Sequence, residues 1–140
     1  MPGLVLGEEF TIAVWAKPSV IVVGGAVVSG IYTHIIQIGG GSYSPWQVGL
    51  FSSETYPQRP TVGRWDFLVV TQTKSGQKSY INANLYGERS LTYSAGQHSI
   101  AMIGKRYDAV YFHGTIDDFR FYNKVLTLAE IQSLYGMGGD

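Results

Sequence analysis

Residues 112–135 read F-H-G-T-I-D-D-F-R-F-Y-N-K-V-L-T-L-A-E-I-Q-S-L-Y. The first half belongs to a β-type segment predicted within 109–122, rich in aromatic and branched side chains. The second half carries a helix start. Thr127-Leu128-Ala129-Glu130 forms a capping box, in which the Thr127 hydroxyl accepts the Glu130 N–H and the Glu130 carboxylate accepts the Thr127 N–H. Leu126 and Ile131 occupy the two positions of a hydrophobic staple. Gly136 offers a left-handed stop. The pattern predicts a helix over 128–135 with Leu128, Ile131, Leu134 and Tyr135 as its apolar stripe, and a frayed tail over 136–140.

Upstream of this stretch, β-type segments follow one another with little helix between them. Phe10–Lys17 places Phe10, Ile12, Val14 and Ala16 on one face. Ile35–Ile38 ends at Gly39-Gly40-Gly41, and Trp46–Phe51 follows. Residues 52–63 carry two prolines and read as a loop. Trp65–Thr73 is a strong strand, turned by Lys74–Gln77 into a strand over Lys78–Leu85. Shorter strands are expected at 88–93 and 99–103. Many short strands and one helix predict an all-β antiparallel sandwich or jelly roll.

A chain of 140 residues suits one domain, here 1–140, with one core. It is 45% apolar and 14% charged, where about 25% charged is ordinary. Eighteen glycines and ten tyrosines point to tight turns and aromatic-rich strands. Ten basic and ten acidic side chains cancel, which argues against a nucleic-acid partner. Without cysteine there is no disulfide and no thiolate metal site. Met1-Pro2-Gly3-Leu4 has no basic n-region before an apolar run, so no signal peptide is recognised. Residues 19–31 are too short and glycine-broken to span a bilayer as a helix.

Several segments carry a family resemblance. Phe10–Pro18 resembles the first framework strand of laminin-G-like domains, members of the concanavalin A-like jelly-roll superfamily. Gly63–Thr71 resembles their "G-x-W" strand, and Gly76–Leu85 the strand after it. Residues 112–135 closely match the family's "G-x-I-D-D" strand and closing helix. The resemblance covers roughly residues 10–135. Asp66 stands where a histidine is common and Ala83 where a glycine is usual. Nine residues precede Phe10 and five follow Tyr135, where members often carry further strands. The resemblance implies two antiparallel sheets and a domain that binds glycans, proteins or cell surfaces, sometimes through Ca²⁺ at the sandwich rim.

The residues themselves carry little catalytic chemistry. Glycoside hydrolysis needs paired carboxylates roughly 5–9 Å apart. Glu8-Glu9 and Asp117-Asp118 are adjacent pairs, and neighbours on a strand point to opposite faces. The chain is therefore expected not to be an enzyme. Asp117 and Asp118 are candidates for Ca²⁺ ligation, but pairing with Arg120 or with backbone N–H groups is the favoured reading, and no cofactor is assigned. His34, His98 and His113 show no metal spacing. Gly39-Gly40-Gly41 is followed by neither a G-x-S-x-G nor a Gly-Lys-Ser/Thr element, and reads as a turn.

Two sets of residues remain as binding candidates. Tyr43, Trp46, Tyr56, Arg59 and Tyr107 lie in or beside loops, where aromatic rings near Arg suit sugar stacking or a protein contact. The second set is a ribbon. Residues 18–32 read P-S-V-I-V-V-G-G-A-V-V-S-G-I-Y, a hairpin pattern around Gly24-Gly25. Val20, Ile21, Val22, Val23, Val27, Val28 and Ile31 present apolar groups to both of its faces. A bare face of this kind marks an interaction site, which makes these residues interface candidates for a second copy or a neighbouring subunit. With the low charge and the absent signal, the leading expectation is a structural or adhesion component of a surface assembly, such as a virion decoration, turret or tail protein on a virion or extracellular surface. The alternative is a glycan-binding lectin domain, with or without Ca²⁺.

Overall fold

The computed structural model describes residues 4–5, 7–30, 34–39, 45–49, 59–90, 99–106 and 110–137. Its elements are β1 (Leu4–Val5), β2 (Phe10–Pro18), β3 (Ala26–Ser29), β4 (His34–Ile38), β5 (Trp46–Val48), β6 (Asp66–Gln72), β7 (Gly76–Ile81), β8 (Asn84–Ser90), β9 (Ser99–Ile100), β10 (Met102–Ile103), β11 (Gly114–Tyr122) and α1 (Leu128–Gly136). A five-stranded sheet runs β11-β2-β6-β7-β8, and a four-stranded sheet runs β10-β3-β4-β5. β1 and β9 form a separate pair. Neighbouring strands are antiparallel throughout. The two larger sheets stack as the expected sandwich.

Alternation along β2 builds both layers of the core. Phe10, Ile12, Val14 and Ala16 face the four-stranded sheet and join Val28, Ile36, Ile38, Val48, Leu68 and Val70. Ala13 and Trp15 point the other way, with Phe67, Val69 and Tyr80. The helix and the segment before it cover that outer face, placing Ile131 and Leu126 on it and packing Leu134 alongside. Burying Ile131 completely contributes about 1.5–3 kcal/mol. The Tyr135 ring stacks on Trp15, with centroids 5.6 Å apart. Glycine is required at Gly114, the glycine of the G-x-I-D-D element. A Cβ there would overlap the Lys17 carbonyl and lie 2.7 Å from Pro18 Cα.

The capping box forms as expected, with Glu130 N donating to Thr127 Oγ1 at 3.2 Å and Thr127 N donating to Glu130 Oε1 at 3.0 Å. Two details differ. Gly136 stays inside the helix, and Met137 caps it in an ordinary right-handed conformation. Leu128, the first residue after the cap, is 48% exposed.

The hairpin expected at 19–31 is corrected. Residues 20–23 form no strand. Gly24 instead donates to the Ile38 carbonyl, and Gly25 donates to the Val22 carbonyl. β3 pairs with β4 and β10. The register slips between Ala26 and Val28 and again before Ser29. A bulge breaks alternation, so adjacent Val27 and Val28 both enter the core between the sheets. The part of the ribbon in β3 is thus covered by the chain itself. Ile21 packs against the same core and Val22 is half-buried. Val20 and Val23 remain exposed, and Ile31 lies outside the described residues.

The strand expected over Lys78–Leu85 is also divided. Asn82 and Ala83 have φ of 53° and 65°, the two left-handed residues of a tight hairpin turn. This turn folds β8 back onto β7, setting Lys78 opposite Glu88 and Tyr80 opposite Leu85.

Candidate functional site

Of the five loop candidates, Trp46 and Arg59 fall among the described residues. Tyr43, Tyr56 and Tyr107 lie outside them. Trp46 is corrected from a loop-edge aromatic to a core residue, with no exposed surface. It begins β5 on the inner face, and its indole N–H donates to Asp66 Oδ2 at 2.9 Å across the sandwich. Asp66, also fully buried, accepts from Asn82 Nδ2 at 3.0 Å. Arg64 Nε stands 3.4 Å from Asp66 Oδ1, and Arg64 Nη2 donates to the Arg59 carbonyl at 2.7 Å. Asn82 Oδ1 in turn accepts the Phe67 N–H at 2.8 Å. A buried carboxylate needs this many donors to remain in the sheet. The cluster ties one end of the sandwich together.

The paired aspartates at the bulge of β11 are both exposed. Asp117 Oδ1 accepts the Asp118 N–H at 2.8 Å. No set of three His, Cys, Asp or Glu side chains converges among the described residues. His113 is exposed, while His98 and the His34 side chain are outside the described set.

A concavity lies elsewhere, on the outer face of the five-stranded sheet beside the start of α1. It has a volume of about 740 Å³, within the range of small-molecule sites. Thr71, Lys78, Tyr80, Leu85, Glu88 and Ser90 line its floor, and Val125, Leu126, Thr127 and Leu128 form a wall. Sheet register brings the floor together. Thr71 on β6 faces Lys78 on β7, which faces Glu88 on β8. Lys78 Nζ lies 3.6 Å from Glu88 Oε2. Arg89 stands opposite Gln77, whose side chain is buried toward Gly49 on the other sheet. Both residues also border the groove, with Arg89 on the same sheet face as Gln77.

A single hydroxyl holds the wall in place. Thr11 Oγ1, on the outer face of β2, donates to the Lys124 carbonyl at 2.8 Å and accepts the Leu126 N–H at 3.0 Å. These bonds press the segment before α1 against the sheet. Glu130 reinforces the helix start. The Thr127 N–H, followed by Lys124, holds its carboxyl below the usual range. Sequence reasoning missed this groove, because its members come from three strands and a helix start with no common spacing. Among the described residues, no helix is long and apolar enough to cross a membrane.

The family model of the concanavalin A-like lectin/glucanases superfamily matches residues 2–132. No curated protein matches the chain. Domain 4 of AbnA, a GH43 extracellular arabinanase from Geobacillus stearothermophilus solved with arabinotriose, is 21% identical with a TM-score of 0.73. The match covers 95% of this chain and 69% of that one. A heptameric SAP-like pentraxin from Limulus polyphemus is 17% identical with a TM-score of 0.69, over 96% of this chain and 73% of the pentraxin. A candidate carbohydrate-binding protein from Bacteroides ovatus is 14% identical with a TM-score of 0.74, over 99% of this chain and 45% of its own length. At these identities the likeness is one of fold.

Proposed function

The chain belongs to the concanavalin A-like lectin/glucanases superfamily, and from that premise we propose that it is a non-catalytic carbohydrate-binding module. The saccharide lies in the groove over β6, β7 and β8. The observation that carries this reading is the groove's mixed lining. Exposed Leu85 and Leu128 offer aliphatic surface to the C–H faces of a sugar, while Lys78, Glu88 and Ser90 offer donors and acceptors to its hydroxyls. Among the described residues, Glu88 is the one carboxylate in the lining, where hydrolysis needs two. The arabinotriose complex of the AbnA domain and the description of the Bacteroides ovatus protein support a saccharide as the ligand class.

The assembly reading keeps less support, because Val27 and Val28 lie in the domain's own core, while Val20 and Val23 are exposed. A glycan array followed by titration calorimetry tests the module reading. Leu128→Glu places a charge in the groove at a helix position that favours acidic residues. We expect it to abolish saccharide binding while the melting temperature stays within a few degrees. An array with no saccharide bound by the unmodified chain would overturn the reading.

A further inference from the structure

We propose that Lys78 and Glu88 form a polar clamp that reads a vicinal diol on a neutral saccharide, an inference that rests on the groove being the saccharide site. The two residues face each other directly across the β7–β8 hairpin, with Nζ and Oε2 3.6 Å apart. Their side chains remain 48% and 62% exposed on the groove floor. In water such a cross-strand pair stabilises the fold little. Its hydrogen-bonding capacity is far from used. An ammonium carries three donors, and a carboxylate has acceptor sites on both oxygens.

The pair fits adjacent hydroxyls, one accepting from Nζ and the other donating to a Glu88 oxygen. Both contacts are charge-assisted, the stronger class of hydrogen bond. The clamp is neutral as a unit, so a neutral diol meets a donor and an acceptor with no net charge on the pair. Leu85 sits two places along from the clamp's neighbouring pair, opposite Tyr80, and Leu128 is on the wall. They supply apolar contact to the ring that carries the diol. A site built to hydrogen-bond a hydroxyl discriminates strongly against the analogue lacking it.

The test uses the full chain and a panel of neutral trisaccharides, arabinotriose among them. Affinities are measured for the tightest member and for its analogue lacking one of the two adjacent hydroxyls. The variants are Lys78→Met and Glu88→Gln. The unmodified chain is expected to prefer the diol by about ten- to a hundredfold. Each variant is expected to lose most of that preference by weakening on the diol, not on the deoxy compound, with its unfolding midpoint nearly unchanged. Equal affinity for both compounds in the unmodified chain, or an undiminished preference in both variants, overturns the clamp and leaves the groove reading standing if Leu128→Glu still abolishes binding. Absence of binding across the panel by the unmodified chain overturns both.

Discussion

Replacing Asp66 by Asn tests the physical argument at the most demanding point of the sandwich. The side chains are nearly the same size, so packing is kept and hydrogen bonding changes. The Asp66 carboxylate is fully buried and accepts from Trp46 at 2.9 Å and Asn82 at 3.0 Å, with Arg64 at 3.4 Å. Asparagine keeps one acceptor and adds two donors. If its oxygen serves Trp46, its amide meets the Asn82 amide donor head-on. Asn82 cannot turn over without releasing the Phe67 N–H. One charge-assisted bond is lost, about 1.5–3 kcal/mol, and one buried donor is left unpaired, about 1–3 kcal/mol. Arg64 is 45% exposed and recovers solvation, so its part is at most about 1 kcal/mol. The expected loss is about 3 kcal/mol, roughly 10 °C in Tm for a chain of this size. Urea unfolding followed by fluorescence, with the m-value checked for constancy, measures it. A loss below about 1 kcal/mol would refute the claim that the Asp66 cluster anchors this end of the sandwich.

Three further expectations follow from the same structure. Thr11→Val removes the hydroxyl that bridges the Lys124 carbonyl and the Leu126 amide; calorimetry should show a loss of about 2 kcal/mol, accompanied by weaker saccharide binding as the groove wall loosens. Ala83→Gly relieves a residue held at φ 65°, a conformation that costs alanine about 1–2 kcal/mol, against a glycine entropy cost of about 0.5–1 kcal/mol; a net gain near 0.5 kcal/mol is expected, and a clear loss in urea unfolding would contradict it. The Glu130 carboxyl titrates lower in the folded chain because of the Thr127 N–H and Lys124. Its support of the helix start is therefore fully present above the pKa of an unfolded glutamate, and is lost as pH falls through the lower folded value. Glu130→Gln should flatten the acid limb of a Tm-against-pH profile, and an unchanged limb would count against the capping box as its source.

Local signals were readable where local physics decides. Alternation in Phe10–Ala16 and the Thr127–Glu130 box specify β2 and the start of α1 without outside help. The ribbon at 19–31 was misread because a glycine pair between valines has two uses. Here it closes a turn against the end of β4, and the bulge that buries Val27 with Val28 depends on strands far along the chain. The β7–β8 turn was hidden because Ala83 sits where glycine would have announced it. Trp46 stands beside a loop in the sequence, yet its partner Asp66 is twenty positions away. The groove is the least legible part. Lys78 and Glu88 are ten residues apart, and they meet only because Asn82 and Ala83 reverse the chain between them.

The most direct test of the central claim is an amide NMR titration of the labelled chain with the neutral trisaccharide panel. Saccharide binding in the groove predicts saturable shifts at Lys78, Tyr80, Leu85, Glu88 and Leu128, with Val27 and Val28 unmoved. Saturable shifts confined to residues away from the groove, or no shifts with any member of the panel, would contradict it.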